Sequence, residues 1–476
     1  MKKVWLAAAL LGLVTMASSV FADVQNIRLS GDVRVRGYFI QNGNASYDYA
    51  PNGASMGYIT ANRRDNSFIV QRTRITCEAD LEDHVLVVIT LTGQGQWGQP
   101  YDVYAPNAYS PYPGNRGWSI GITEAYVQFS EMFFTPATLK LGRQYLNYGR
   151  GLIISSYDQT YNFDAGRLVL DFYPFTVDLV GAKLSDGSLA TPNPGHRGND
   201  LLFVNARYEM KDSIIKNVEA YFGWAARASA GMMSPSYLPT ASAASPWIIG
   251  LRTDLTPIKG LNVWLEGAYE GGQAPVGGAF DTSRDATLSA FIANAGLKYT
   301  FKDVKMEPSV NVEYTFASGG GSSSGNGNMF VPWFDDKDGH NGYLFQPKLS
   351  NIHIFNVGAS IKPAKNVTAS VQGYYYLKAD RDSNAISNPW IDYGGLSSLS
   401  RFQTEAAEVG WEIDAILGYD YSKDARFQLV YAVFIPDRAF TAANSSNSEI
   451  GNNYPYGGYG FDRVVHGIRG EVNVRF

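Results

Sequence analysis

Cysteine is almost missing from this chain: Cys77 is the only one in 476 residues, which excludes an internal disulfide framework. Its setting in "RITCEA" puts it on the apolar side of an extended segment, where it reads as a small hydrophobe. Histidine is nearly as scarce. His84, His196, His340, His353 and His466 are the only five, and no G-x-S-x-G elbow or H-E-x-x-H pair accompanies them, so the sequence carries no recognisable hydrolase or zinc-enzyme machinery. An excess of positive charge is also lacking. Lys and Arg number 39 against 44 Asp and Glu, a formal net charge of -5, which is not the basic balance of a nucleic-acid binder. No apolar run beyond Met16 approaches the roughly 20 residues of a membrane-crossing helix. Finally, no Pro/Ser-rich linker divides the chain, although its length would ordinarily hold two or three soluble domains.

At the N-terminus, "MKKVWLAAALLGLVTMASSVFADVQ" sets Lys2 and Lys3 before an apolar stretch, with Val20 and Ala22 at the small-residue positions of a cleavage site. This is the pattern of a Sec signal peptide over residues 1–22, with one mature domain over 23–476 outside the cytoplasm. Loss of the two lysines with the leader takes the net charge from -5 to -7. Aromatic residues make up 14% of the chain, 31 of them Tyr, and Gly contributes 49. A large sheet with many turns and interfacial aromatic belts uses both.

Period-2 alternation recurs from about Ile27 to Phe476. "IRLSGDVRVRGYF" sets Leu29, Val33, Val35 and Phe39 against Arg28, Asp32, Arg34 and Arg36; "VNVEYTF" and "NVTASVQGYYY" alternate in the same way. Short breaks fall at "EDH", "EMFFTP", "YP", "KDS", "PIKG", "KDVK", "KPAKN" and "SKDA". Between them lie long Gly/Asn/Ser/Pro-rich stretches at 42–66, 99–118, 229–246, 318–349, 381–405 and 439–463. Backbone polar groups cannot go unpaired in lipid, so without helical spans only a closed sheet crosses a membrane. The expected fold is an all-β transmembrane antiparallel β-barrel of about 18 strands, with short periplasmic turns, long extracellular loops and both termini periplasmic.

The last strand, "GEVNVRF", alternates Ile468, Val472, Val474 and Phe476 with Arg469, Glu471, Asn473 and Arg475. An apolar strand ending on Phe resembles the signal read by the barrel assembly machinery of the outer membrane of Gram-negative bacteria. That machinery and the outer-membrane lipid are therefore expected partners, and nucleic acid is not.

In a barrel, selectivity resides in the inward half of each strand. Arg34 and Arg36 on the first strand and Arg72 and Arg74 on the second face inward, and guanidinium rings in a pore favour anions. The alternative reading is that they pair with acids such as Asp32, Glu78 and Glu124 and only fill the interior. At "LKLGRQYLNYGRGLIISSYDQTYNFDAGRLVLDF" and "GWEIDAILGYDYSKDARFQLVYAVFIPD" the sequence resembles the alginate-export family, through L-G-R-Q, Y-G-x-G-L, F-D-x-x-R and G-x-E-I-D. The resemblance implies an 18-strand barrel with an arginine-rich constriction that passes an acidic polysaccharide or another anion. It also implies that Arg143, Asp164 and Arg167 belong to a lumenal charge network, with Glu412 and Asp414 as the acids that hold arginines in place. Simple alternation sets Arg143 beside Leu139 and Leu141, so an inward Arg143 requires a bulge at Gly142.

Inward acids are numerous on later strands: Glu209, Glu219, Asp254, Glu266, Glu307, Glu313, Glu412, Asp414 and Glu471. Three functions stay open on these residues. The first is a channel for acidic polysaccharide, oligosaccharide or small anions, working as a monomer. The second is a general, cation or neutral-solute porin with an acid-rich lumen. The third is an adhesin or receptor acting through its outer loops. No cofactor is expected, although "DDKDGHNG" offers Asp336, Asp338 and Asn341 in a pattern similar to the start of a calcium loop. "SGGGSSSGNGN", residues 318–328, is composed as a flexible connection or a mobile lid.

Overall fold

The structure is a computed structural model. It describes residues 24–41, 66–98, 118–156, 162–185, 199–226, 245–275, 285–320, 326–381, 406–441 and 464–476, less positions 83, 212, 332, 335–340 and 348. The leader and Asp336 and Asp338 of the calcium-like stretch lie outside the described residues.

Eighteen antiparallel strands form one closed wall. The first strand, Val24–Gln41, pairs with Asn66–Leu81 on one side and with the last strand, Val465–Arg475, on the other, so no edge is left open. A further two-residue strand, Asn326–Gly327, runs parallel to Thr287–Leu288 and is not part of the wall. All the short breaks read from the sequence fall at one end of the barrel, which is also the end that holds Val24 and Phe476. The connections at the other end are long.

The alternation fixes which way each side chain points. On the first strand Ile27 and Leu29 are 64% and 67% exposed, whereas Asp32 and Arg36 are buried on the opposite face. The same inversion holds round the wall, with Ile120, Leu251, Val357 and Ile413 outward and Thr92, Asn205, Glu219 and Asn294 inward. The wall is therefore apolar on its outer face and polar within, the arrangement a bilayer demands. Cys77 is exposed on the outer face, beside Ile75.

Closure of the wall ends on the terminal residue. The Phe476 N–H donates to the Gly31 carbonyl at 3.0 Å, and the Gly31 N–H donates to the Phe476 carbonyl at 2.8 Å. The Phe476 ring lies across Gly31 so closely that a Cβ there would stand 2.7 Å from it. Glycine is thus the residue that lets the ring cover the seam.

One departure from the expected fold matters for function. The described residues of 326–350 do not stay outside as a connection. They fold into the barrel, as does 145–156, a stretch that no break in the alternation separates from the neighbouring strands. Leu146, Ile153, Ile154, Phe330, Trp333 and Phe345 are all at most 2% exposed and make an apolar core inside a polar wall. The two segments join directly: Ser155 N–H donates to the Phe334 carbonyl at 2.6 Å, and Phe334 N–H donates to that of Ile153 at 2.8 Å.

Candidate functional site

The inserted segments are held by carboxylates of the wall, which accept backbone N–H groups. Gly149 N–H donates to Glu219 at 3.1 Å and Arg150 N–H to Glu266 at 2.7 Å, while Tyr148 Oη donates to Asp178 at 3.0 Å. Arg252 closes this end by donating to the Gly149 carbonyl at 2.6 Å. Gly149 adopts φ +60°, and a side chain there would run into the Glu266 carboxylate. On the second segment, Glu270 accepts from Val331 N–H and from Trp333 Nε1, both at 2.9 Å. Glu412 accepts three consecutive amides: Tyr343 at 2.6 Å, Leu344 at 2.7 Å and Phe345 at 2.7 Å. Converging backbone N–H groups form an anion-binding nest, and a fully buried carboxylate needs one.

Glu412 therefore has a different task from the one the motif resemblance implied: it holds the inserted segment and no arginine. Asp414, two residues on and also 0% exposed, is inward as expected, beside Glu412 and within electrostatic reach of Arg469. The reason the reading failed is physical. Alternation tells that an acid points inward, and not that a remote stretch of backbone will be waiting for it.

The arginines of the first two strands do meet. Arg74 and Arg72 both approach Asp32, Arg72 at 3.5 Å, and Arg36 Nε donates to Glu471 at 2.5 Å. Arg34 stands opposite Arg72 in the strand register. From the last strand Arg469 adds a fifth guanidinium, over the Tyr343 ring at 4.4 Å. Five guanidinium groups thus share one sector of the lumen with the carboxylates of Asp32 and Glu471, and at its margins Glu124 lies within electrostatic reach of Arg74 and Asp414 within reach of Arg469. Further round, Arg167 faces the lumen and binds Asp178 through Nε at 2.9 Å and through Nη2. Arg150, at the tip of the first segment, lies 4.3 Å over the Trp264 ring and 3.5 Å from Glu313. It opens on a small recess that Asn294, Thr315 and Asn341 also line.

Arg143 and Asp164 are not in the lumen. The pairing runs Leu141 to Val127 and Arg143 to Ala125 without a shift, so Gly142, despite its φ of +123°, does not turn Arg143 inward. Arg143 holds Asp164 on the outer wall with a two-point contact of 2.7 and 2.8 Å. Asp164 and Arg167 are three residues apart on a strand and must face opposite sides. Glu307 is also misplaced by simple alternation. It sits in the turn after Thr300 with φ +41°, where Lys362 donates to it at 2.7 Å and holds its carboxyl below the usual carboxylate range.

Alternation would have found Asp178 and Glu270; Tyr148 and Arg150 carried no signal beyond the Y-G-x-G-L pattern itself. The described histidines do no visible chemistry. His84 lies in a turn, and His353 and His466 bond Tyr314 and Tyr431 on the outer wall at 2.7 and 3.0 Å.

A closed, outwardly apolar barrel with a charged and partly filled lumen defines a class, the outer-membrane channels. A family model described as alginate export matches residues 53–452, and the chain belongs to that family, whose members are transport proteins. Among solved structures, the barrel is similar to Acinetobacter baumannii OccAB1 (12% identity, 96% of this chain and 98% of that one, TM-score 0.55). It is also similar to Pseudomonas aeruginosa OccK8 (OprE) (10% identity, 96% and 99%, TM-score 0.53). A third is Pseudomonas aeruginosa OccK2 (OpdF) in complex with glucuronate (8% identity, 96% and 97%, TM-score 0.52). At these identities the likeness is one of fold. No curated protein matches.

Proposed function

We propose that the barrel passes acidic solutes, either acidic saccharides or small anions, along the arginine sector built by Arg34, Arg36, Arg72, Arg74 and Arg469. The observation that carries this reading is how the wall acids are used. Glu219, Glu266, Glu270 and Glu412 are committed to backbone N–H groups of the inserted segments, so they do not present bare negative charge to a solute. The sector around Asp32 and Glu471 brings five fixed guanidinium charges together, and such groups attract anions and bind carboxylates with two-point geometry. Arg150, with the amides of Asn294 and Asn341 at the recess, offers a donor for a carboxylate next to partners for hydroxyls. The glucuronate bound by OccK2 is an acidic sugar of the same chemistry.

In this reading the short-turn end and both termini face the periplasm, the long loops face the outside, and the barrel works as a monomer, assembled through its C-terminal strand. The test is the reversal potential of the refolded barrel in a planar bilayer under a salt gradient, for the wild type and for R72Q/R74Q. Anion preference that falls in the double variant supports the reading. Because that variant leaves Asp32 buried without its two partners, D32N/R72Q/R74Q is measured beside it, and the same fall is expected. Cation preference in the wild type, or no change in either variant, overturns it.

A further inference from the structure

The Arg143–Asp164 contact is one half of a longer row. Across four neighbouring strands the register sets Arg143 opposite Asp164, Asp164 opposite Lys183, and Lys183 opposite Asp200. All four side chains are on the outer wall, on the same face as Leu141, Leu179 and Leu202, which are 40–49% exposed. The charged groups are 41–54% exposed, and Lys183 Nζ donates to Asp200 at 2.8 Å. Each lies within three residues of the long-loop end of its strand. On other strands the outer wall near that end carries rings instead, as at Trp224 beside Trp247 and Tyr375 stacked on Trp411 at 4.0 Å.

Charges on the lipid face of a barrel are costly at mid-membrane and tolerated only near the headgroups. Exposed ion pairs contribute little on their own, so pairing Arg143 with Asp164 and Lys183 with Asp200 does not account for four charges at the edge of an apolar wall. The cations also have donors to spare. A guanidinium has five N–H groups, of which Arg143 gives two to Asp164 and one to the Ile122 carbonyl at 3.2 Å. An ammonium has three, and Lys183 gives one to Asp200. The bilayer itself is what these groups face.

We propose that this row is a contact site for the phosphate headgroups of membrane lipid. Arg143 offers its two remaining N–H groups and Lys183 its ammonium to phosphate oxygens, in competition with the carboxylates of Asp164 and Asp200 that they contact on the wall. Placing that contact in the outer leaflet rests on the orientation proposed above; the contact itself does not.

The experiment uses the full mature barrel refolded in detergent with an equimolar mixture of phosphatidate and phosphatidylcholine. Lipid retained per barrel is read by native mass spectrometry, scoring only protein that shows the heat-dependent gel mobility of a folded barrel. The wild type is expected to retain phosphatidate in preference to phosphatidylcholine, and R143Q/K183Q to lose that preference about tenfold, the effect of about 1.4 kcal/mol. D164N/D200N, which removes the competing carboxylates and keeps both cations, is expected to retain more. K183Q alone serves if the double variant does not fold, with a partial loss expected. Unchanged preference in R143Q/K183Q or K183Q, or a loss in D164N/D200N, overturns the proposal. Lipid retention is independent of ion selectivity, so this result and the solute reading stand or fall separately.

Discussion

Replacing Glu412 with Ala should release the inserted segment at residues 343–345. Three amides, of Tyr343, Leu344 and Phe345, lose the carboxylate that accepts them at 2.6–2.7 Å. An orphaned buried donor costs about 1–3 kcal/mol, so the local penalty is about 3–9 kcal/mol, more than enough to favour a detached segment. Even the lower bound corresponds to an exchange rate for those amides about 100-fold faster, at about 1.4 kcal/mol per tenfold. Hydrogen–deuterium exchange of the peptide spanning 341–346 reads this directly, and single-channel conductance reads the consequence, since the segment leaves the lumen. Glu412→Gln keeps one carbonyl oxygen for three donors and should fall between the two. If the exchange of those amides and the conductance both stay at the wild-type level in Glu412→Ala, the carboxylate does not hold the segment and the reasoning fails.

Two further perturbations test the neighbouring parts of the same design. Gly149→Ala puts a side chain at φ +60° and into the Glu266 carboxylate, which adds about 1–2 kcal/mol for the left-handed backbone alone; the amide of Arg150 should exchange faster while the barrel stays folded on a gel. Gly31→Val crowds the Phe476 ring and the Arg74 carbonyl at the seam, and the yield of heat-modifiable, folded barrel should fall, with partial recovery when Phe476 is shortened to Leu.

The wall was readable because two independent signals agree on it. Strict alternation on the first two strands points Arg34, Arg36, Arg72 and Arg74 inward, and the alternation of short and long breaks gives the strand count and the handedness of the two ends. Arg167 was readable on the same ground. The errors share a cause. Arg143 and Asp164 entered the lumen through a motif resemblance that ignores the two-residue period, and that period, applied to F-D-x-x-R, would have separated Asp164 from Arg167. The inserted segments were unreadable for a different reason. A Gly- and Asn-rich stretch such as 318–349 has the composition of an exposed connection, and what draws its described residues around 331 and 343–345 inward is a set of carboxylates on strands distant in sequence. Glu270 and Glu412 look like excess acid until the N–H groups that donate to them, mostly of backbone, are seen.

That the latches grip backbone and leave most side chains alone has a practical meaning. Any residue except proline presents an N–H at positions 343, 344 and 345, so these moorings do not depend on the identity of the half-buried Tyr343 side chain, whereas Leu344 and Phe345 are also fixed by their packing. The barrel is in this sense a housing whose insert is moored by wall carboxylates at fixed points, with the stretches between those points forming the lining a solute meets.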